Sequence, residues 1–245
     1  MLCLSSAMEP TAVRLVMSKL MPIHILAAHP PPLAIHLKNG SANMVLRASE
    51  KYSRIAKAYD LLEWPIERLL FHKLRKEAIE YACDKTLEVG VGTGKNLSFY
   101  PESVELVAID FSPGMLNIAE KKAKGIDLKS LQLREMDVEH LDFTDNSFDV
   151  VVSTFVFCTV PDPIAGLKEL YRVLKPNGKA VFLEHMKSKN PIINIMLYIM
   201  NIASSNILGT SMVRKTQQNI EQTGFVIKSV ENKAFDIVRL IIAEK

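Results

Sequence analysis

One stretch constrains the fold of this chain more than any other: a short apolar run that ends in a glycine-rich turn. The run includes Leu87, and the turn carries Gly90, Gly92 and Gly94 in the spacing G-x-G-x-G. A buried strand, a turn without side chains and a following helix together let a nucleotide-like ligand approach bare backbone. A dinucleotide fingerprint would need its third glycine where Lys95 stands, so the turn alone does not identify the ligand.

Strand-like and helix-like segments alternate on either side of this turn. The predicted strands are 87–89, 105–109, 131–136, 148–157, 179–183, 225–230 and 236–243, and the predicted helices are 50–62, 66–82, 113–122 and 164–174, with a further helix expected to begin at 96–100. Ser112 is predicted to be the N-cap of the helix 113–122. The last two strands are joined by the short polar segment 231–233, which predicts a hairpin. The pattern therefore predicts an α/β fold: a Rossmann-like, doubly wound, mostly parallel seven-stranded sheet with an antiparallel C-terminal hairpin.

The length and composition are typical of a soluble protein with one main domain: 245 residues, 48% hydrophobic and 23% charged. Residues 1–43 hold a single acid and a run of three prolines, and we expect them to be a disordered or non-native extension. A transit peptide is the alternative, although arginine is scarce there. The domain is then expected over 44–245, with N-terminal helices over 44–84 and a substrate-side helical insertion over 186–215.

Charge and cysteine usage exclude two classes of partner. A net charge of +3 is too small and too dispersed to predict a nucleic-acid partner. Cys3, Cys83 and Cys158 lie far apart and form no metal spacing, so no metal site is predicted. We expect a cytoplasmic protein. The basic residues of the predicted helix 66–82 are interpreted as a solvent-exposed face: Arg68, Lys73, Arg75 and Lys76.

Acidic residues follow three successive strands. Glu88 stands just before the glycine turn, Asp110 follows the second strand and Asp137 follows the third. Ligands of open α/β sheets bind at these carboxyl ends, where Asp110 is at the right distance to accept hydrogen bonds from ribose hydroxyls. Asp137, with Val138 beside it, could accept a hydrogen bond from the amino group of an adenine. A pyrophosphate tolerates carboxylates poorly, whereas the sulfonium cation of S-adenosylmethionine is compatible with Glu88.

Four segments together resemble the class I S-adenosylmethionine-dependent methyltransferases of type 11. They are LEVGVGTG at 87–94, AIDFS at 108–112, MDVE at 136–139 and LKPNG at 174–178. The resemblance covers about 50–245. Within this family the chain is most similar to ubiquinone/menaquinone-biosynthesis methyltransferases and to phosphatidylethanolamine N-methyltransferases. The residues that carry this similarity are Tyr59-Asp60, Leu183-Glu184-His185 and Arg214-Lys215-Thr216.

The resemblance implies S-adenosylmethionine as the cofactor and a set of residues that contact it. These are Glu88, Gly90, Gly92, Gly94, Asp110, Phe111, Met115, Asp137, Val138, Ser153 and Thr154. Ser153 and Thr154, at the end of the fourth strand, fall where the family lines the methionine moiety. His185, after the fifth strand, is the best-placed candidate for a catalytic base, and a structural hydrogen-bonding role is the alternative.

The segment 191–208 is apolar and uncharged, with one polar stripe formed by Asn194, Tyr198, Asn201 and Ser205. It is interpreted either as a helix packed on the sheet edge or as a lid and peripheral membrane contact near an apolar substrate. The expected function is methyl transfer by in-line displacement to a small or lipid-like acceptor, a quinone precursor or a phospholipid amine. The alternatives are an NAD(P)-dependent oxidoreductase and a non-catalytic, S-adenosylmethionine-binding regulatory protein. No oligomeric state is indicated.

Overall fold

The computed structural model describes residues 70–188 and 215–245, together with Ser53, Asn190, Pro191 and Asn194. Within this part of the chain the strands are β1 (Lys85–Val89), β2 (Glu105–Asp110), β3 (Ser130–Glu135), β4 (Phe148–Thr154), β5 (Leu174–His185), β6 (Val226–Lys233) and β7 (Val238–Glu244). The helices are α1 (His72–Ile79), α2 (Pro113–Ala123), α3 (Pro163–Val173) and α4 (Thr216–Gln222). The extension 1–43, the predicted helix 50–62 apart from Ser53, and nearly all of 191–208 lie outside the described residues.

The seven strands form one sheet in the order β3-β2-β1-β4-β5-β7-β6. β3, β2, β1, β4 and β5 pair in parallel, so their carboxyl ends meet at one edge. In register, Val89 at the end of β1 lies between Ile109 of β2 and Ser153 of β4. This arrangement confirms the predicted mostly parallel sheet, and it brings the segments that follow β1, β2 and β4 together.

The C-terminal hairpin is confirmed, but its connection differs from the prediction. β7 pairs antiparallel with both β5 and β6. The polar segment 231–233 does not form the connection; it belongs to β6, where Lys233 pairs with Val238. A single 3₁₀ turn, Ala234–Asp236, joins the strands. Polar side chains are accommodated in β6 because it is the edge strand, with its outer side toward solvent.

Two other boundaries differ from expectation for local steric reasons. The helix expected at 96–100 is only a 3₁₀ turn, Leu97–Phe99, because Tyr100 precedes Pro101 and adopts an extended conformation. β4 was expected to continue to Phe157, but it ends at Thr154. The next residue, Phe155, has a φ of 60°, which breaks the strand.

The helices cover both faces of the sheet and bury its apolar side chains. α1 and α2 pack on one face, with Ile79 and Ala119 in the same core as Leu106 of β2. α3 and α4 pack on the other face, where Leu167 contacts the core that contains Leu87. Ser112 caps α2 as predicted, since its Oγ accepts a hydrogen bond from the Met115 backbone N–H at 3.4 Å. In the described residues, no helix is long and apolar enough to cross a membrane.

Candidate active site

A cleft opens at the carboxyl edge of the parallel strands. Its volume, including the solvent-filled mouth, is about 830 Å³. Seven of the eleven predicted cofactor residues line it: Gly90, Gly92, Asp110, Phe111, Met115, Asp137 and Val138. The other four, Glu88, Gly94, Ser153 and Thr154, are not among its lining residues. The predicted set is therefore divided between the cleft and a buried polar network beside it.

The three glycines of the turn have different roles. Gly90 has a φ of 64°, and a Cβ atom there would lie 2.4 Å from a methyl carbon of Val156, so it allows close approach of the loop after β4. Gly92, with a φ of 55°, faces open space. A Cβ atom on Gly94 would lie 2.8 Å from Leu97, so this glycine packs beneath the turn. The open side of Gly92 is the place where a ligand can approach bare backbone.

Asp110 is held in place by backbone donors. Its Oδ1 accepts a hydrogen bond from the Ser112 N–H at 2.8 Å, and its Oδ2 accepts one from the Gly92 N–H at 2.9 Å. Burial raises the pKa of this carboxyl to about 6, and the hydrogen bonds from Ser112 and Gly92 oppose that rise. Each carboxylate oxygen can accept a second hydrogen bond. The side chain is thus oriented and still able to accept from a ligand hydroxyl.

Asp137 and Val138 form the next part of the wall. Asp137 Oδ1 accepts a hydrogen bond from the Glu139 N–H at 3.0 Å. Burial raises the pKa of Asp137. Glu139 Oε1 in turn accepts from the Asp162 N–H at 2.7 Å, which ties this loop to the start of α3. The buried Val138 gives the cleft an apolar surface beside a carboxylate. A planar, nitrogen-bearing ring suits this combination.

Glu88 lies in the buried network rather than on the cleft wall. Its Oε1 accepts a hydrogen bond from Asn96 Nδ2 at 2.7 Å. Its Oε2 and the hydroxyl of the neighbouring Tyr100 are both buried without a hydrogen-bond partner of good geometry among the described residues. Burial raises the pKa of Glu88 to about 7, and the proximity of Asn96, Tyr100 and Arg75 limits that rise. The carboxyl therefore has one oxygen available to a further partner.

Thr154 joins Glu88 to a buried arginine. Its Oγ1 accepts hydrogen bonds from Asn96 Nδ2 at 2.9 Å and from Arg75 Nη1 at 2.7 Å. The Arg75 guanidinium also lies 4.8 Å from the ring centroid of Phe155, which lines the cleft. The network therefore connects α1, the turn after β1 and the end of β4.

Glu184 of β5 anchors the loop that follows β4. Its Oε1 accepts a hydrogen bond from Ser153 Oγ at 2.8 Å, and it also accepts from the backbone N–H groups of Val156 and Phe157. Burial raises its pKa to about 7, with these hydrogen bonds and the charge of Arg75 acting in the opposite direction. Its Oε2 has no hydrogen-bond partner among the described residues. Ser153 thus serves to position the loop.

His185 lies beside the cleft, packed against aromatic rings. The imidazole centroid is 4.6 Å from that of Phe155 and 5.5 Å from that of Phe71. Burial and the charge of Arg75 lower its pKa to about 4. At neutral pH the ring is therefore uncharged and can accept a proton. His185 is not a lining residue of the cleft, whereas Phe155, against which it packs, is one.

Comparison with known proteins identifies the family. Residues 87–182 match the model of the methyltransferase domain. The chain is 33% identical over 166 residues to the ubiquinone/menaquinone biosynthesis C-methyltransferase of Bdellovibrio bacteriovorus, an alignment that covers 64% of this chain and 68% of that protein. The chain belongs to the class I S-adenosylmethionine-dependent methyltransferases. The predicted family is confirmed, and S-adenosylmethionine is its cofactor.

Two further curated relatives indicate the branch of methyltransferases to which the chain is similar. It is 37% identical over 153 residues to the demethylmenaquinone methyltransferase of Lactobacillus johnsonii, covering 59% of this chain and 63% of that protein. It is 40% identical over 110 residues to the phosphatidylethanolamine N-methyltransferase of Cereibacter sphaeroides, covering 44% and 54%. The chain thus spans less than two thirds of the length of these two relatives.

Solved structures confirm the fold of the methyltransferase. A methyltransferase from Thermotoga maritima, titled a possible histamine N-methyltransferase, superposes with a TM-score of 0.61. It shares 18% sequence identity, and the match covers 80% of this chain and 99% of that structure. At this identity, the likeness concerns the Rossmann-like architecture alone.

The residues of this methyltransferase fit its cofactor. Gly92 leaves backbone open to a ligand, and Asp110 keeps acceptor capacity beside it. The orphaned Oε2 of Glu88 is an acceptor suited to a cationic group. These features are what a ribose, an adenine and a positively charged methionine moiety require.

Sequence reasoning missed two polar members of the network and one apolar wall of the cleft. Arg75 was interpreted as solvent-exposed, which is wrong: its exposed fraction is 8%. The signal was present, because Arg75 shares one helical face with Ala78, Ile79 and Ala82 at spacings of three, four and seven. Asn96 was read only as the start of a helix. The missed wall, which follows β4, consists of Phe155, Val156, Thr159, Val160 and Pro161.

Proposed function

We propose that this chain is a catalytic methyltransferase that transfers the methyl group of S-adenosylmethionine to a quinone precursor. The observation that carries the proposal is the single cleft that joins the glycine turn, Asp110 and Asp137 at the carboxyl edge of the sheet. Similarity to two quinone-biosynthesis methyltransferases supports the acceptor class.

Specific residues of the chain would hold the cofactor. Asp110, oriented by two backbone N–H groups, would accept from the ribose hydroxyls. Asp137 and Val138 would contact the adenine, and the carboxyl of Glu88, in the network beside the cleft, would supply negative charge near the positively charged methionine end. When bound, S-adenosylmethionine supplies a methyl group made electrophilic by a sulfonium leaving group. The protein's contribution is to align the acceptor with that methyl group and to exclude water.

His185 is the proposed proton acceptor for a phenolic or ring-carbon acceptor. Its low pKa keeps the imidazole neutral at pH 7, but it also makes the imidazole a weak base. We therefore expect its contribution to be modest, of about tenfold in kcat. If the His185→Gln variant has a lower kcat and an unchanged Kd for the cofactor, this role is supported. Unchanged kcat and Kd would leave His185 a packing residue between Phe71 and Phe155.

A phospholipid amine is the second candidate acceptor. The similarity to a phosphatidylethanolamine N-methyltransferase favours it, because that identity, 40%, spans 110 residues. An amine nucleophile needs little help from a base. Both acceptors are lipid-like, and we propose that the apolar segment 191–208 makes a peripheral contact with the membrane in which such a substrate resides.

The test uses the full chain of 245 residues and methyl-labelled S-adenosylmethionine. Three acceptor conditions are compared: reduced demethylmenaquinone in detergent, phosphatidylethanolamine vesicles and no acceptor. We expect label in the quinol product, and none in the Asp110→Ala variant. Label in the phospholipid alone would show that the acceptor is a phospholipid amine and not a quinone precursor. Binding of S-adenosylmethionine by calorimetry without label in either product would indicate a regulatory protein, and binding of NADH instead would indicate an oxidoreductase.

A further inference from the structure

Arg75 is a buried cation at the junction of three elements. Its Nη1 lies 2.7 Å from Thr154 Oγ1 at the end of β4 and 3.4 Å from Asn96 Oδ1 in the turn after β1. Its guanidinium lies over the ring of Phe155, a residue with a φ of 60°. A bulky residue in this backbone region is disfavoured unless its surroundings hold it there. Arg75 thus contacts one residue that lines the cleft, Phe155, and two residues of the buried network beside it.

The charges around Arg75 are mostly acidic and are buried with it. Glu88 on β1 and Glu184 on β5 both feel its charge, which lowers the pKa of each carboxyl against the larger effect of burial. Asp110 on β2 adds a repulsive charge to Glu88. On the remaining sides stand Tyr100, a hydroxyl beside Glu88, and His185, whose protonation Arg75 disfavours. Among the described residues, Arg75 is the cation that acts on both glutamates.

We propose that Arg75 is a positioning residue of the cofactor site, which fixes Thr154, Asn96 and Phe155 and keeps Glu88 ionisable toward a cationic methyl donor. The inference rests on the proposed function and adds a proton linkage to it. A positively charged ligand binds more tightly when the neighbouring carboxyl is ionised. Cofactor affinity should therefore fall as the pH drops through the pKa of Glu88, which is about 7.

Three variants separate the charge of Arg75 from its hydrogen bonds. Arg75→Met removes both, whereas Thr154→Val removes the strongest hydrogen bond and leaves the charge in place. Arg75→Lys keeps the charge without the planar fork of donors. Arg172→Met is the matched control, because that arginine makes several hydrogen bonds with Glu169, Asp145 and backbone carbonyls on the opposite face of the sheet.

The measurement is calorimetric titration of the full chain with S-adenosylmethionine from pH 5.5 to 8.5, repeated with uncharged-sulfur S-adenosylhomocysteine. For Arg75→Met we expect an affinity about tenfold or more weaker at pH 7, with the midpoint of the acid limb raised by roughly half of a pH unit or more. Thr154→Val should weaken binding without moving the midpoint. Arg75→Lys should restore the midpoint but not the full affinity, and Arg172→Met should change neither. The acid limb should be shallower for S-adenosylhomocysteine.

Three outcomes would count against the proposal. An Arg75→Met variant that is folded and binds with the wild-type Kd and midpoint would overturn it. If that variant does not fold, an Arg75→Lys variant with a displaced midpoint would overturn it instead, because the charge is then retained. Equal shifts in Arg75→Met and Arg172→Met would show a general structural effect. Failure of the wild-type chain to bind S-adenosylmethionine would instead reject the proposed function, so the two failures are distinguishable.

Discussion

The acids of the cleft and the acids of the buried network are held by different means. Asp110 and Asp137 each accept a hydrogen bond from a backbone N–H two residues later in the chain. Glu88 and Glu184 instead accept hydrogen bonds from groups that other parts of the fold supply: the side chains of Asn96 and Ser153 and, for Glu184, two backbone N–H groups of the loop after β4. Each glutamate also has one buried oxygen without a partner in the described chain. Backbone donors, most of them in the adjacent turn, therefore orient the cleft acids, whereas the network acids depend on groups that tertiary packing brings to them.

This difference has an energetic consequence. A carboxylate held by local backbone donors keeps its orientation through small rearrangements of the fold. A buried glutamate with an unsatisfied oxygen carries a desolvation cost, which appears as a pKa of about 7 for both Glu88 and Glu184. Burial also raises the pKa of the cleft acid Asp110, to about 6, so both regions carry a desolvation cost, and the network differs in the unsatisfied oxygen on each glutamate. Four substitutions test this division.

Substitution of the two cleft-facing glycines should give the largest effect and separate the two regions. Gly90→Ala would place a side chain in a left-handed conformation and bring its Cβ atom into collision with Val156, whose backbone N–H donates to Glu184. We therefore expect the free energy of unfolding to fall by about 3.5 kcal/mol. Gly92→Ala has the same backbone cost, but its Cβ atom would face open space, so we expect the free energy of unfolding to fall by only about 1.5 kcal/mol. Chemical denaturation measures both. Equal losses would show that contact with the loop after β4 contributes little.

Asp110→Ala should give the next largest effect, on the cleft alone. Loss of the acceptor for two backbone N–H groups and for the ligand should weaken S-adenosylhomocysteine binding about 100-fold, or about 2.7 kcal/mol. Calorimetry measures the Kd. Glu105→Gln is the control: it lies at the other end of β2, in an exposed pair with Lys129, and should leave the Kd unchanged. A similar Kd in Asp110→Ala and wild type would remove Asp110 from the site.

Glu184→Gln should give the smallest effect, visible in the pH dependence of stability. The folded pKa, about 7, lies above the usual 4.5, so the stability contributed by protonated Glu184 is complete below pH 4.5 and is lost as the pH rises through 7. The wild type should therefore lose on the order of 2 kcal/mol of unfolding free energy from this group between pH 5 and 8. The variant should show a correspondingly flatter profile in urea denaturation.

Glu169→Gln provides the control of opposite sign. Its hydrogen bonds with Arg172 lower the pKa of Glu169, so its contribution is present above its usual pKa and is lost only in more acidic solution. In the Glu169→Gln variant, the unfolding free energy should change with pH between 5 and 8 as steeply as it does in the wild type. A Glu184→Gln profile as steep as the wild type would show that Glu184 is already ionised in the folded protein at pH 5.

Much of the fold and of the cleft follows from local sequence patterns. The strands, the hairpin and the Ser112 cap of α2 were predicted because burial and capping leave short-range periodic signals. Phe155 could not be predicted in this way. Its φ of 60° ends β4 early, and the surrounding contacts with Phe71, Arg75 and His185 come from other elements.

The sequence by itself determined the alternation of strands and helices, the family and the acids that follow the strands. It did so because glycine geometry, hydrophobic periodicity and capping act over a few residues. Only the tertiary structure decided that Gly94, Ser153 and Thr154 support the site from beneath, and that Arg75 turns inward to join them. The partners of these side chains lie up to 79 positions away in the chain, so only the packing of α1 against the sheet brings them within hydrogen-bond distance.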